Sequence, residues 1–190
     1  MDVLEALLNR VSVARLSDPA PSPAQREQLF AAALRAPDHA QLSPWRFLTV
    51  EGDARLRLGE LFAEALGAQA GEVKPEALEK ARKGPLRAPL VVVVIACLQA
   101  HPKVPPDEQL LSAGCAAHAL LLAAEGLGLG AMWRTGAQAE DPLVARGLGL
   151  AAHERIVGFV YLGSVDGERR SPRVLAVNDF VQAWSAPRIS

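Results

Sequence analysis

The sequence predicts an α+β protein built on a layered sheet. Three observations lead there: an uninterrupted apolar run from Leu90 to Leu98, three further strand-like stretches, and helical patterns that punctuate them irregularly rather than in strict strand–helix alternation. The 190 residues have an even composition, half of them hydrophobic, and read as one domain over residues 1–190. A formal charge of −1 with few aromatic residues argues against disorder and against a nucleic-acid surface. The apolar run is too short to span a bilayer, so it reads as a buried strand and no membrane partner is expected. Acidic residues near the N-terminus and the lack of a long apolar core there predict no secretory signal, and a cytoplasmic location follows.

Taken in order, Val3, Leu4, Leu7 and Leu8 repeat at helical spacing after Asp2, an N-cap residue, so a first helix ends near Asn9-Arg10. Ser22-Pro23-Ala24-Gln25 combines an N-cap, a proline at the first helical position and a capping-box glutamine. The helix it opens carries Leu29, Phe30, Ala33 and Leu34 and stops at Pro37. Trp45 to Val50 has strand character, and Leu56 to Leu66 follows as a helix. Lys74 to Arg87 is basic, partly helical and exposed. Asp107 to Glu125 is a long helix whose Ala113, Gly114, Ala116 and Ala117 allow another backbone close by, as in a central or dimer helix. Leu129 to Thr135 and Ile156 to Leu162 are strands, with a short helix from about Pro142 to Gly147 between them. The tail from Ser171 has little pattern, yet its Val174, Leu175, Val177, Phe180, Val181 and Trp184 require burial, which a partner subunit would provide.

Several constellations carry polar chemistry. Arg10-Val11-Ser12, with Arg15 behind, sets a guanidinium and a hydroxyl at a helix end, suited to a terminal phosphate; an arginine there also suits the helix macrodipole. Arg35-Ala36-Pro37-Asp38-His39, followed by Ser43-Pro44-Trp45, forms a polar loop whose Arg35 and His39 offer donors to a flat ligand. Trp133-Arg134-Thr135 ends an apolar strand, where sheets deliver polar groups; Trp133 also suits a core, whereas Arg134 demands a partner. Gly126-Leu127-Gly128-Leu129-Gly130 follows a helix and enters a strand, the reverse of a dinucleotide loop, and reads as a helix C-cap with a tight turn. Cys97 and Cys115 lack metal-ligand spacing and read as two small buried thiols, while His118 reads as a core or interface histidine, so no metal is expected. No hydrolase elbow, phosphate-binding Walker loop or catalytic carboxylate pair stands out, which leaves no catalytic side chain and points to a cofactor.

In order and separation, Asn9-Arg10-Val11-Ser12, the Arg35 to His39 loop, Ser43-Pro44-Trp45, Ser112 to Cys115, Trp133 to Gly136 and Ile156 to Gly163 resemble the nitroreductase family. The resemblance spans nearly the whole chain and is strongest to the small YdjA-like branch of NAD(P)H nitroreductases. It implies a nitroreductase-like α+β fold with a central mixed or antiparallel sheet flanked by helices. It further implies an intertwined homodimer holding FMN at its interface, contacted by both subunits. By match of motif, Arg10 and Ser12 would hold the FMN phosphate and Val11 would contribute backbone. Arg35 and His39 would approach from the loop, and Trp133, Arg134 and Thr135 would complete the site. The resemblance also gives Ala123, Ala124, Glu125, Gly126, Leu127 and Gly128 to the nicotinamide nucleotide. Many relatives carry a second arginine where Val11 stands, Asn or Ser where Asp38-His39 stands, and Gln where Ser43 stands.

The activity implied is FMN-dependent NAD(P)H oxidoreduction by a ping-pong cycle. NADH or NADPH passes hydride to flavin N5, and a nitroaromatic, quinone or similar small-molecule acceptor then takes the electrons. Arg35 or backbone N–H groups would stabilise negative charge on the pyrimidine edge. The alternatives are a non-catalytic FMN-binding or flavin-carrier protein, a related flavoenzyme with another oxidant, and a cofactor-free interaction domain.

Overall fold

The computed structural model describes residues 2–68 and 72–184. Five strands form the sheet: β1 (Leu16–Ser17), β2 (Trp45–Glu51), β3 (Leu90–Cys97), β4 (Gly130–Arg134) and β5 (Glu154–Val165). All pairings are antiparallel: β2 with β3, β3 with β5, and both β4 and β1 with β5. Seven α-helices accompany them among the described residues: α1 (Val3–Asn9), α2 (Pro23–Ala33), α3 (Ala54–Gly67), α4 (Pro75–Lys83), α5 (Pro106–Gly126), α6 (Ala137–Glu140) and α7 (Pro142–Gly147).

The helix starts follow from their caps. The Asp2 carboxylate accepts from Glu5 N at 2.8 Å, and Ser22 and Gln25 close a reciprocal capping box ahead of Pro23. Pro75, Pro106 and Pro142 occupy first helical turns, where no intrahelical N–H partner is lost. Two elements escaped the sequence pattern, β1 and α6, because two and four residues are too few to carry a period.

β3 is fully buried from Leu90 to Ala96 because the sheet is covered on both sides. Its even-numbered residues, with Val160 and Leu162 of β5, pack under α2 and α5. Its odd-numbered residues, with Phe159 and Tyr161, pack under α3 and α7. Ala113, Ala116 and Ala117 are buried on the sheet side of α5, as the run of small residues predicts. The same orientation overturns the expectation of two buried thiols: Cys115 points away from the sheet and is exposed, while Cys97 is half-buried. His118 is likewise exposed in the chain. On the opposite side, α4 closes on α3 at Gly59, where a Cβ would overlap the Arg82 carbonyl oxygen.

No helix among the described residues is long and apolar enough to cross a membrane. The tail after β5 is irregular apart from a turn at Val177–Asp179. Val174, Phe180, Val181 and Trp184 are exposed there, as are Val3, Leu4, Leu7 and Leu8 on α1. Residues 185–190, the last of the tail, lie outside the described part.

Candidate functional site

β4 organises the site because one of its edges is open. Val13 N donates to the Ala131 carbonyl at 2.9 Å, and alternate residues of a strand direct their main-chain groups to the same edge. The main-chain groups of Trp133 and Thr135 therefore share the edge along which the Arg10–Ser12 segment arrives. Arg10 is the C-cap of α1, its N–H bonded to the Ala6 carbonyl at 3.0 Å, so its guanidinium is carried just past the helix end. Val11 is half-buried and Ser12 is exposed. Ser12 and Arg15 line a depression of about 200 Å³ together with Asp166, Arg169 and Arg170 of the segment after β5. The two distal arginines gave no signal in the sequence, since nothing local places them beside Ser12.

At the other end of β4 lies a cavity of about 520 Å³, lined by Arg134, Thr135, Gln138, Lys80 and Arg87 over a floor that includes Phe159 and Tyr161. The Arg134 guanidinium stands 5.5 Å from the Tyr161 ring centroid, in cation–π range. Burial raises the Tyr161 phenol above its ordinary pKa, and Arg134 and Arg87 partly oppose that rise. Arg134 Nε is buried without a hydrogen-bond partner among the described residues. Such a group costs free energy unless a partner satisfies it, and no such partner for Nε stands among the described residues.

Trp133 and Arg134 leave the strand on opposite faces. Trp133 joins the α5 side, where its Nε1 donates to the Val157 carbonyl at 3.4 Å and its ring reaches Gly114. A Cβ on Gly158 would overlap that same indole nitrogen, so only glycine fits beneath it.

The loop bearing Arg35 and His39 is a separate construction at the start of α5. Asp38 accepts from Leu42 N at 3.1 Å and Ser43 N at 2.7 Å, closing the loop over a short 3-10 turn, His39–Gln41. Ala40, Gln41 and Ser43 all have positive φ, a conformation that non-glycine residues hold only where surrounding bonds impose it. Those bonds include Ser112 Oγ to the Pro37 carbonyl, Gln99 Nε2 to the Leu42 carbonyl at 2.8 Å, and His39 Nδ1 with Glu108 Oε1 at 2.6 Å. Arg35 is exposed and has no ion-pair partner among the described residues. No hydrogen bond or ion pair among them joins this loop to the β4 edge.

The segment Ala123 to Gly128 has a structural role. Leu129 N donates to the Ala124 carbonyl at 2.9 Å and Gly128 N to the Glu125 carbonyl at 3.0 Å, with Gly128 at φ +71°. This is a Schellman termination of α5, the C-cap that the glycine spacing predicts. Glu125 is buried and paired with Arg169 at 2.5 Å.

The antiparallel sheet between helical layers defines an α+β protein, with polar groups gathered along one strand edge. The chain belongs to the nitroreductase family: the model of the Nitroreductase family matches residues 7–164. The YdjA protein of Escherichia coli (strain K12), provisionally named an NAD(P)H nitroreductase, is 43% identical over 164 residues, which cover 86% of this chain and 88% of that one. The crystal structure of a nitroreductase-like family protein from Bacillus cereus superposes with a TM-score of 0.81 at 22% identity, covering 98% of this chain and 97% of that one. A nitroreductase with bound FMN from Bacteroides fragilis NCTC 9343 gives 0.73 at 23% identity, covering 97% of this chain and 100% of that one. These two likenesses establish the shared fold.

Proposed function

We propose that this protein is an FMN-dependent NAD(P)H oxidoreductase acting as a homodimer. One observation carries the reading: the Ser12 depression and the Arg134 cavity lie at the two ends of the open β4 edge. Four residue steps separate Ala131 from Thr135, about 13 Å at the rise of a strand, which leaves room for an elongated ligand between the two depressions. The residues fit such a ligand. Ser12 and Arg15 line the depression with Arg169, Arg170 and the acidic Asp166 and Glu168, and Arg10 with the Val11 backbone, just ahead of Ser12, would join them in holding a terminal phosphate. The edge groups of Trp133 and Thr135 would border a flat ring, with the Arg134 side chain lining the cavity beside it. FMN, when bound, supplies two-electron redox chemistry between a nicotinamide donor and an acceptor.

The chain's own groups would bind and orient. Arg35 or backbone N–H groups would stabilise negative charge on the pyrimidine edge, and Arg134 would add a cation beside the ring. Arg35 and His39 would reach the cofactor from the second protomer, which accords with their separation from the β4 edge within one chain. The exposed apolar side chains of α1, of Leu111 on α5 and of the tail supply a surface that such a dimer would cover. Ala123 to Gly128 remain our assignment for the nicotinamide nucleotide, with Gly126 and Gly128 presenting exposed main chain. NADH and NADPH as donors accord with a cytoplasmic setting, and the acceptor would be a nitroaromatic, a quinone or a similar small molecule.

The test is the visible spectrum of the protein after FMN addition and desalting, followed by anaerobic NADPH and NADH. A retained flavin spectrum that bleaches with either donor is the expected result. Retained flavin that neither donor bleaches would make the protein a flavin carrier, and no retained flavin would overturn the assignment of Arg10, Ser12 and Arg134.

A further inference from the structure

The cavity at the end of β4, to which the proposed function gives the flavin ring, is lined by two cations besides Arg134. Lys80, Arg87 and Arg134 line it, and no Asp or Glu does. Neither Lys80 nor Arg87 has an ion-pair partner among the described residues, although Arg82 and Lys83 on the neighbouring positions both do. The placement follows from helical spacing: Ala77, Lys80, Ala81 and Gly84 all border the cavity, at i, i+3, i+4 and i+7 along α4 and its continuation. Ala77, Ala81 and Gly84 leave room, and Lys80 is the polar side chain that this face extends over it. Lys80 and Arg87 are exposed, so they stand at the rim, while the buried Phe62, Phe159 and Tyr161 make its floor apolar.

We propose that Lys80 and Arg87 select an anionic aromatic electron acceptor, one whose carboxylate or similar anion meets the rim cations while its ring enters the cavity beside the flavin. The inference rests on the oxidoreductase reading for the reaction and on the cavity alone for the binding. For a nitroaromatic acid, the net two-electron step takes hydride from NADPH and one H⁺ from the buffered solvent. The nitro nitrogen loses one oxygen as water to give the nitroso acid, and NADPH becomes NADP⁺. Lys80 and Arg87 take no part in that transfer; they hold the anion.

The experiment compares 4-nitrobenzoate with its neutral isostere 4-nitrobenzamide, on the native protein and on the K80A/R87A double variant, each loaded with FMN. Calorimetric binding and anaerobic NADPH oxidation are read separately. The native protein is expected to bind 4-nitrobenzoate about tenfold more tightly than the amide, the scale of one or two charge-assisted contacts at a partly exposed site. The preference should weaken with added salt and vanish in the variant, through a rise in KM for the carboxylate about tenfold larger than any for the amide. Equal affinity of the native protein for both ligands, or equal losses for both in the variant, would overturn the proposal. A rise in KM for NADPH but not NADH would also overturn it, by giving the cations to the donor's extra phosphate. Should neither compound be reduced while the carboxylate preference persists in calorimetry, the oxidoreductase reading falls and the anion site stands.

Discussion

Arg169 donates to the Glu125 carboxylate at 2.5 Å and to the Leu129 carbonyl at 3.0 Å, pinning the segment after β5 to the C-terminal end of α5. The Glu125 side chain is only 7% exposed, so its charge is compensated by one identified cation. The contact also holds the arginine-bearing segment that lines the Ser12 depression.

Removing either partner should therefore cost more than a surface ion pair does. Arg169→Ala is expected to destabilise the fold by about 2–4 kcal/mol, because it strands a buried carboxylate. Urea unfolding of R169A, E125Q and the double variant measures the coupling between the two positions; strictly additive losses would disprove it.

Gly158 lies under the Trp133 indole, and a methyl group there would overlap Nε1 and crowd the Arg134 carbonyl. Gly158→Ala should cost about 1–3 kcal/mol through overpacking and shift tryptophan emission as the indole moves. Emission and unfolding midpoint both identical to those of the native protein would contradict the close approach.

Arg46 grips Glu154 with Nε to Oε1 at 2.5 Å and Nη2 to Oε2 at 2.7 Å, and Ala151 N and the Cys97 thiol also donate to the carboxylate. These bonds, that from Arg46 foremost, lower its pKa from the ordinary 4.5 to about 2. The folded state then binds this proton less readily than the unfolded chain. The associated stability is fully present above pH 4.5 and is lost as pH falls toward 2. Glu154→Gln should flatten that part of the acid-unfolding profile and cost about 1–3 kcal/mol at neutral pH, since Arg46 keeps some access to water. An unaltered acid limb in E154Q would refute this.

Under the proposed function, Arg10→Ala should weaken FMN binding about tenfold or more by removing a charge-assisted contact to phosphate. Arg134→Met should keep the phosphate contact but weaken retention of FMN more than that of riboflavin-free phosphate. Equilibrium dialysis with FMN and with inorganic phosphate separates the two, and equal effects of both variants on both ligands would count against the division of the site.

Much of the local architecture was legible in the sequence. Ser22 and Gln25, the prolines of first turns and the glycine after α5 act through neighbours within a few positions, so periodicity and capping chemistry locate the helices. β3 was legible because a strand covered on both faces must be apolar throughout. The polar residues around β4 were also visible as oddities, above all Arg134 at the end of an apolar strand.

What the tertiary structure decided is which of these oddities face one another. Alternation along β4 sends Trp133 and Arg134 to opposite faces, and only the packing of α3 and α4 on one face, with α5 on the other, gives each its surroundings. Glu125 and Arg169 are 44 positions apart, and Lys80 and Arg87 line one cavity with the distant Arg134, so neither grouping leaves a local pattern. Cys115 was misjudged for the same reason: side-chain identity sets a preference for burial, whereas the rotation of α5 on the sheet sets the outcome. Short-range hydrogen bonding wrote the elements into the sequence, and long-range packing of two opposed layers determined the site.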